Sequence, residues 1–156
     1  MHPNEAVIDR LYAALDATDG EAMAACYTPD ATFEDPAFGR LEGAEVGAMW
    51  RMLCSQARDL SAGVDEVQAD DDEGSARWHA TYTFSATGRR VVNRIEARYR
   101  FRDGLIAEHR DRFSIWRWSR QALGPAAIVL GSNPLGAALI RRRARGQLAA
   151  WQRREG

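Results

Sequence analysis

The chain contains no lysine; all 21 of its basic residues are arginine. The arginines are scattered along its length and face 22 acidic residues, for a formal net charge of −1, so no overall charge excess recruits a nucleic acid or an acidic partner. Cysteine is scarce as well. Cys26 and Cys54 stand apart without CxxC or metal-ligand spacing, which excludes a disulfide framework and points to packed thiols in a reducing, cytoplasmic setting. Apolar runs long enough for a secretory leader or a bilayer span are missing. A metal-binding cluster, a phosphate loop and a dinucleotide fingerprint are missing too, so neither metal nor cofactor is expected.

What is present is enough for one domain with a substantial core: 156 residues, 46% of them apolar and 28% charged. The pattern turns on Tyr27 to Gly39, YTPDATFEDPAFG. Alternation across Ala31 to Asp35 puts Ala31, Phe33 and Asp35 on one face of a short strand, so if Phe33 points inward Asp35 does too. Pro36 ends the strand with that carboxylate at its inner end. A carboxylate held against apolar surface is costly to ionise and becomes a candidate proton acceptor near neutral pH. An Asp-Pro pair also commonly caps its own turn, and that reading stays open beside the catalytic one.

Upstream, Asn4 to Thr18 reads as a helix with Val7, Ile8, Leu11, Tyr12 and Leu15 on one stripe, followed by a shorter helix over Glu21 to Tyr27. Phe38 to Gly43 reads as a turn, and Val46, Met49, Trp50, Leu53 and Ala57 recur at helical spacing in a third helix ending near Asp59. A strand over Leu60 to Ala69, an acidic turn and three long alternating strands follow. The first of these faces inward with Trp78, Ala80, Tyr82 and Phe84. The second does so with Val91, Asn93, Ile95, Ala97, Tyr99 and Phe101, and Asp103-Gly104 marks the hairpin to the third. On the third, alternation places Leu105, Ala107, His109, Asp111, Phe113 and Ile115 inside, with Trp116 and Trp118 on the outer face. Asn93, His109 and Asp111 therefore share an apolar face with Asp35.

Three helices followed by a meander with one apolar face predict an α+β fold, a cone-shaped, curved mixed sheet wrapped around three N-terminal helices. Residues 1–120 form the cone domain and 121–156 a C-terminal helical extension packed on it. Buried polar groups on the concave side need partners or a ligand, since each left unpaired costs about 1 to 3 kcal/mol. The expected site has Asp35, His109 and Asp111 as catalytic groups and Tyr12, Phe33, Trp50, Trp78, Tyr82, Asn93, Tyr99 and Phe113 as pocket wall, around a hydrophobic small molecule. Taken singly, His109 also reads as a satisfied core histidine and Asp111 as the partner of an arginine.

The order helix, helix, YTPDATFEDP, helix, meander and DGLIAEHRDRFSIWRW, covering residues 4 to 118, resembles the nuclear transport factor two superfamily. That superfamily includes ketosteroid isomerases, limonene epoxide hydrolases and SnoaL-like polyketide cyclases. DATFEDPAFG resembles the isomerase segment that carries the general base, which falls on Asp35. EHRDRF resembles the last-strand region of the hydrolases and cyclases, whose cavity-facing aspartate falls on Asp111. The chain departs from the isomerases at their oxyanion hole, with Leu11 at the tyrosine position and Ala97 at the acid position. It departs from the hydrolases at Arg77 and His79, where the second is the wrong residue type and alternation turns both outward.

Beyond Trp118 lie a Gly-Pro break, an apolar patch from Ala126 to Leu130, a helix start at Asn133-Pro134 and the cluster Arg141, Arg142, Arg143 and Arg145. An apolar patch with arginines is compatible with a membrane surface or an anionic ligand, and an arginine run alone reads as a solvated face. The expected functions are a cofactor-independent isomerase, cyclase or hydrolase, a module that holds an apolar ligand, or a scaffold. A homodimer through the outer sheet face, Trp116 and Trp118 included, fits all three.

Overall fold

The computed structural model describes residues 1–127 and 133–155. Helix α1 (Pro3–Asp16) starts on a reciprocal cap: the His2 ring accepts from the Asn4 amide and Glu5 reaches back to the His2 amide. Its stripe, Val7, Ile8, Leu11, Tyr12 and Leu15, is buried as the spacing predicts. Helix α2 (Gly20–Ala24) is capped by Asp19 and ends sooner than the expected Tyr27, because Tyr27 already begins strand β1 (Tyr27–Asp35). The predicted turn at Phe38 to Gly43 holds a short strand, β2 (Gly39–Glu42), that pairs antiparallel with β1. Helix α3 (Ala44–Gln56), β3 (Ser61–Ala69), β4 (Glu73–Phe84), β5 (Arg89–Arg102) and β6 (Leu105–Arg112) complete the cone.

The sheet has six strands in the order β2-β1-β6-β5-β4-β3, antiparallel except for β1 against β6. The long β4–β5 ladder runs from Glu73 opposite Arg100 to Phe84 opposite Arg89. Along β5 the alternation holds: Val91, Ile95, Ala97, Tyr99 and Phe101 are buried and the arginines between them are exposed. On β6 it is interrupted. Arg100 faces Glu108 while Phe101 faces Ile106, so Ala107 is an extra residue and the bulge turns Ile106, rather than Ala107, fully into the core. His109 and Asp111 lie beyond the bulge and keep their inward orientation.

The largest departure is at the end of β6. The strand expected to run to Trp118 stops at Arg112, and Ile115–Leu123 is a helix, α4, capped by the Ser114 side chain. Trp116 and Trp118 are therefore not on the outer sheet face. Beyond its pairing with β6, which ends at Glu96 opposite Arg112, β5 continues with a free edge. There the Gln121 carboxamide accepts from the Val92 amide at 2.7 Å and donates to the Val92 carbonyl at 3.2 Å, as a neighbouring strand would. That docking turns Trp118 over the concave face, where its indole N–H donates to the Tyr82 hydroxyl at 2.8 Å and its ring meets Phe84 edge-on.

A single 3-10 turn (Gly124–Ala126) follows, and residues 128–130 of the apolar patch lie outside the described residues. Helix α5 (Pro134–Glu155) begins where Asn133-Pro134 predicts, with the Asn133 side chain accepting from the Gly136 amide. Leu148 is buried, and Ala144 and Trp151 pack beside it on the core. Leu135 and Leu139 are exposed, and among the described residues no helix is long and apolar enough to cross a membrane.

Candidate functional site

The concave face divides into a dry end and a half-open end. At the dry end Tyr12, Phe33, Trp50, Trp78, Tyr99 and His109 are all buried against α1 and α3. Asp35, Tyr82, Asn93 and Phe113 are half-buried, with Trp118 folded across from α4. Asp111 stands between the two ends, 7% exposed.

Trp50, Tyr27, His109, Asp111 and Trp78 form one connected chain of polar groups. The Trp50 indole donates to the Tyr27 hydroxyl at 3.0 Å, Tyr27 meets His109 Nδ1 at 2.7 Å, and His109 Nε2 meets Asp111 Oδ1 at 2.8 Å. Asp111 Oδ1 also accepts from the Trp78 indole at 3.1 Å. An indole only donates, so the arrangement that satisfies every group has Tyr27 donating its proton to Nδ1 and Nε2–H donating to the carboxylate. The same chain explains why a histidine and an aspartate survive in an aromatic core. Beside it the hydroxyls of Tyr12 and Tyr99 are hydrogen-bonded to each other. Burial pushes Tyr12, Tyr27 and Tyr99 well above the ordinary tyrosine range, so all three are neutral hydroxyls at physiological pH.

Asp35 is held differently. Its Oδ1 accepts from the amides of Ala37 at 2.9 Å and Phe38 at 2.6 Å, so the turn-capping reading and the inward-facing reading are both realised in one side chain. Desolvation by the surrounding core raises its pKa to about 7. The charge of Asp111 pushes the same way, while the two amides and the Arg141 guanidinium pull it down. Asp35 in turn raises Tyr82, whose hydroxyl is lifted mainly by burial. Asp35 thus interacts electrostatically with Asp111, Arg141 and Tyr82.

From the sequence alone, Arg141, Arg142, Arg143 and Arg145 read as a solvated run. In the structure Arg142, Arg143 and Arg145 are exposed and Arg141 is half-buried, and α5 lays Arg141 and the guanidinium of Arg145 against the β1–β2 hairpin. Arg145 donates to the carbonyls of Phe38 at 3.2 Å and Arg40 at 2.6 Å. Arg141 lies on Gly39, the residue directly opposite Asp35 in the ladder. No local pattern signals this contact, because it joins the two ends of the chain. Arg77 and His79 are exposed on the outer face, Arg77 between Glu66 and Glu96. Clefts of about 600, 700 and 670 Å³ open on the outer faces and edges, and none of the three is lined by Asp35, His109 or Asp111.

The fold is shared with solved proteins of low sequence identity. An NTF2-like protein of unknown function from Burkholderia pseudomallei is 17% identical with a TM-score of 0.65, the match covering 78% of this chain and 98% of that one. A protein from Catenulispora acidiphila with a ketosteroid isomerase-like fold, solved with trimethylamine, is 16% identical with a TM-score of 0.67 over 77% and 94%. An LEH-like epoxide hydrolase from M. tuberculosis is 20% identical with a TM-score of 0.64 over 83% and 97%. At such identities the likeness establishes the architecture and leaves the chemistry open. Among curated proteins, none matches the chain in sequence. The family model described as SnoaL-like domain matches residues 8–109, from the first turns of α1 to the histidine of β6, and this chain belongs to that family, on the nuclear transport factor two-like fold.

Proposed function

We propose that this protein is a cofactor-independent enzyme acting on a hydrophobic small molecule, with Asp35 as the group that moves the proton. The observation that carries the reading is Asp35 itself. It is a half-buried carboxylate whose pKa is raised to about 7, clamped through Oδ1 by two turn amides, with no hydrogen bond on Oδ2 among the described residues. A base poised near the working pH and fixed in orientation suits removal of a proton α to a carbonyl, or activation of water. In the first case the C–H proton passes to Oδ2 and the electron pair moves to the carbonyl oxygen. Asp111, held by His109 and Trp78, adds its charge to the burial that keeps Asp35 from ionising too easily, and is the second acid–base group. Tyr82, Asn93 and Phe113 form the accessible wall, and Tyr12, Phe33, Trp50, Trp78 and Tyr99 the rigid floor.

A second reading, a module that holds an apolar ligand without transforming it, is favoured by the closed hydrogen-bond chain at the dry end, where Trp50, Tyr27, His109, Asp111 and Trp78 satisfy one another. A homodimer remains part of the proposal. With the tryptophans on α4, it rests on the outer face of β4 to β6 and the exposed Val92, and solution mass is its check. Two buried free thiols fit a cytoplasmic location. The arginine cluster is a poor membrane contact once Arg141 and Arg145 face the protein.

The discriminating experiment is hydrogen–deuterium exchange at the α-carbon of a panel of hydrophobic ketones in D2O, with epoxide opening measured alongside. The enzyme reading expects a rate that rises with pH through about 7, as Asp35 ionises, and that falls by a factor on the order of 100 or more in Asp35→Asn. Ligand retention with no exchange and no hydrolysis in the wild type establishes the module instead.

A further inference from the structure

We propose that Arg141 on α5 is an anion-recognition group of the pocket, so that the preferred ligand carries a carboxylate or comparable anionic oxygen beside its hydrophobic body. The inference rests on the pocket reading above and names the chemical class of its ligand.

Gly39 is the cross-strand partner of Asp35. Directly paired residues in an antiparallel ladder project to the same face. A Cβ on Gly39 would point to the concave side next to Asp35, and it would meet Arg141 Cδ at 2.8 Å. The arginine stem therefore occupies the space that a side chain at position 39 would fill. The missing side chain is what lets the C-terminal helix lay a guanidinium beside Asp35. The placement is braced, since Arg145, one turn further along α5, is hydrogen-bonded to the carbonyls of Phe38 and Arg40 on the same hairpin.

That guanidinium keeps one donor that the described residues do not satisfy. Among the described residues, Arg141 Nε is buried and has no hydrogen-bond partner. Arg141 forms no ion pair with Asp35 among the described residues, although its charge acts on that carboxyl. A buried donor on a permanent cation, left without an acceptor, is costly and rare in folded proteins. A carboxylate fits the planar donor geometry of the guanidinium. The group lies on a helix beyond the matched family region, which ends at His109, so it is a property of this chain's extension.

The test uses a matched pair of probes, 2-naphthoate and the neutral isostere 2-naphthamide, titrated by calorimetry into the full-length protein, Arg141→Gln, Arg141→Lys and Arg142→Gln. Arg142 is exposed and controls for net charge. The expected result is a preference for naphthoate of about ten- to hundredfold, the range of one charge-assisted hydrogen bond. Arg141→Gln should abolish it, Arg141→Lys should restore part of it, and Arg142→Gln should leave it intact. Equal binding of both probes by the wild type, or a preference that survives Arg141→Gln, overturns the inference and leaves the pocket standing. Binding of neither probe removes the pocket reading, and the inference with it.

Discussion

Replacing Asp35 by Asn separates the electrostatic cost of this carboxylate from its geometry. Asn keeps an oxygen where Oδ1 accepts from Ala37 and Phe38, so the β1–β2 turn keeps its cap while the ionisable group is lost. In the folded protein the carboxyl titrates at about 7, against 3.8 for the ordinary group. Between those values the folded state holds a proton that the unfolded state has released, so wild-type stability falls as pH rises from about 4 to 7 and levels off above. The shift is about three units, at 1.36 kcal/mol each, which sets a ceiling of about 4 kcal/mol. Screening at this half-buried side chain reduces the expectation to about 2 to 3 kcal/mol. Urea unfolding at unit steps from pH 4 to pH 9 is the assay. The stability of Asp35→Asn relative to wild type should climb by that amount across the interval and be flat on either side. A relative stability that does not change with pH refutes the desolvation argument. One that falls with rising pH would mean that Asp35 is stabilised as an anion, the opposite of the electrostatics described here.

Tyr27→Phe keeps the ring but strips the hydroxyl, leaving the Trp50 indole N–H and His109 Nδ1 without their shared partner. The expected loss is about 2 to 4 kcal/mol by denaturant unfolding, and a change below about 0.5 kcal/mol would show that the chain of hydrogen bonds does not hold the dry end together. Leu148→Ala removes the buried anchor of α5 and should cost about 2 to 4 kcal/mol, with faster backbone hydrogen exchange along α5. An unchanged midpoint and unchanged exchange would mean that the extension is not docked.

Much of the cone was legible in the chain because its strands alternate for long stretches and its turns carry their own chemistry. The Asp103-Gly104 hairpin has both residues at positive φ, and the faces of β4 and β5 follow directly from a period of two. The same period turned Asp35 and Asp111 toward one concave side. It failed at two places where a local pattern is silent. A bulge at Ala107 shifts the parity of β6 at the cost of one unpaired residue, and nothing in Leu105 to Arg110 announces it. At Phe113 to Trp118 the alternation runs on, yet the chain turns into α4, because docking Gln121 on the free edge of β5 and Trp118 on Tyr82 outweighs strand propensity.

The chain by itself determined the layer plan and the acids that face inward, since both depend on neighbours a few residues apart. Only the tertiary structure decided what each acid is worth: Asp111 sits in a closed network with His109 and Trp78, and Asp35 is raised by burial beside it. Only the tertiary structure, too, brings Arg141 onto Gly39, because a contact between the last helix and the first hairpin is set by how the two surfaces pack and leaves no period in the sequence.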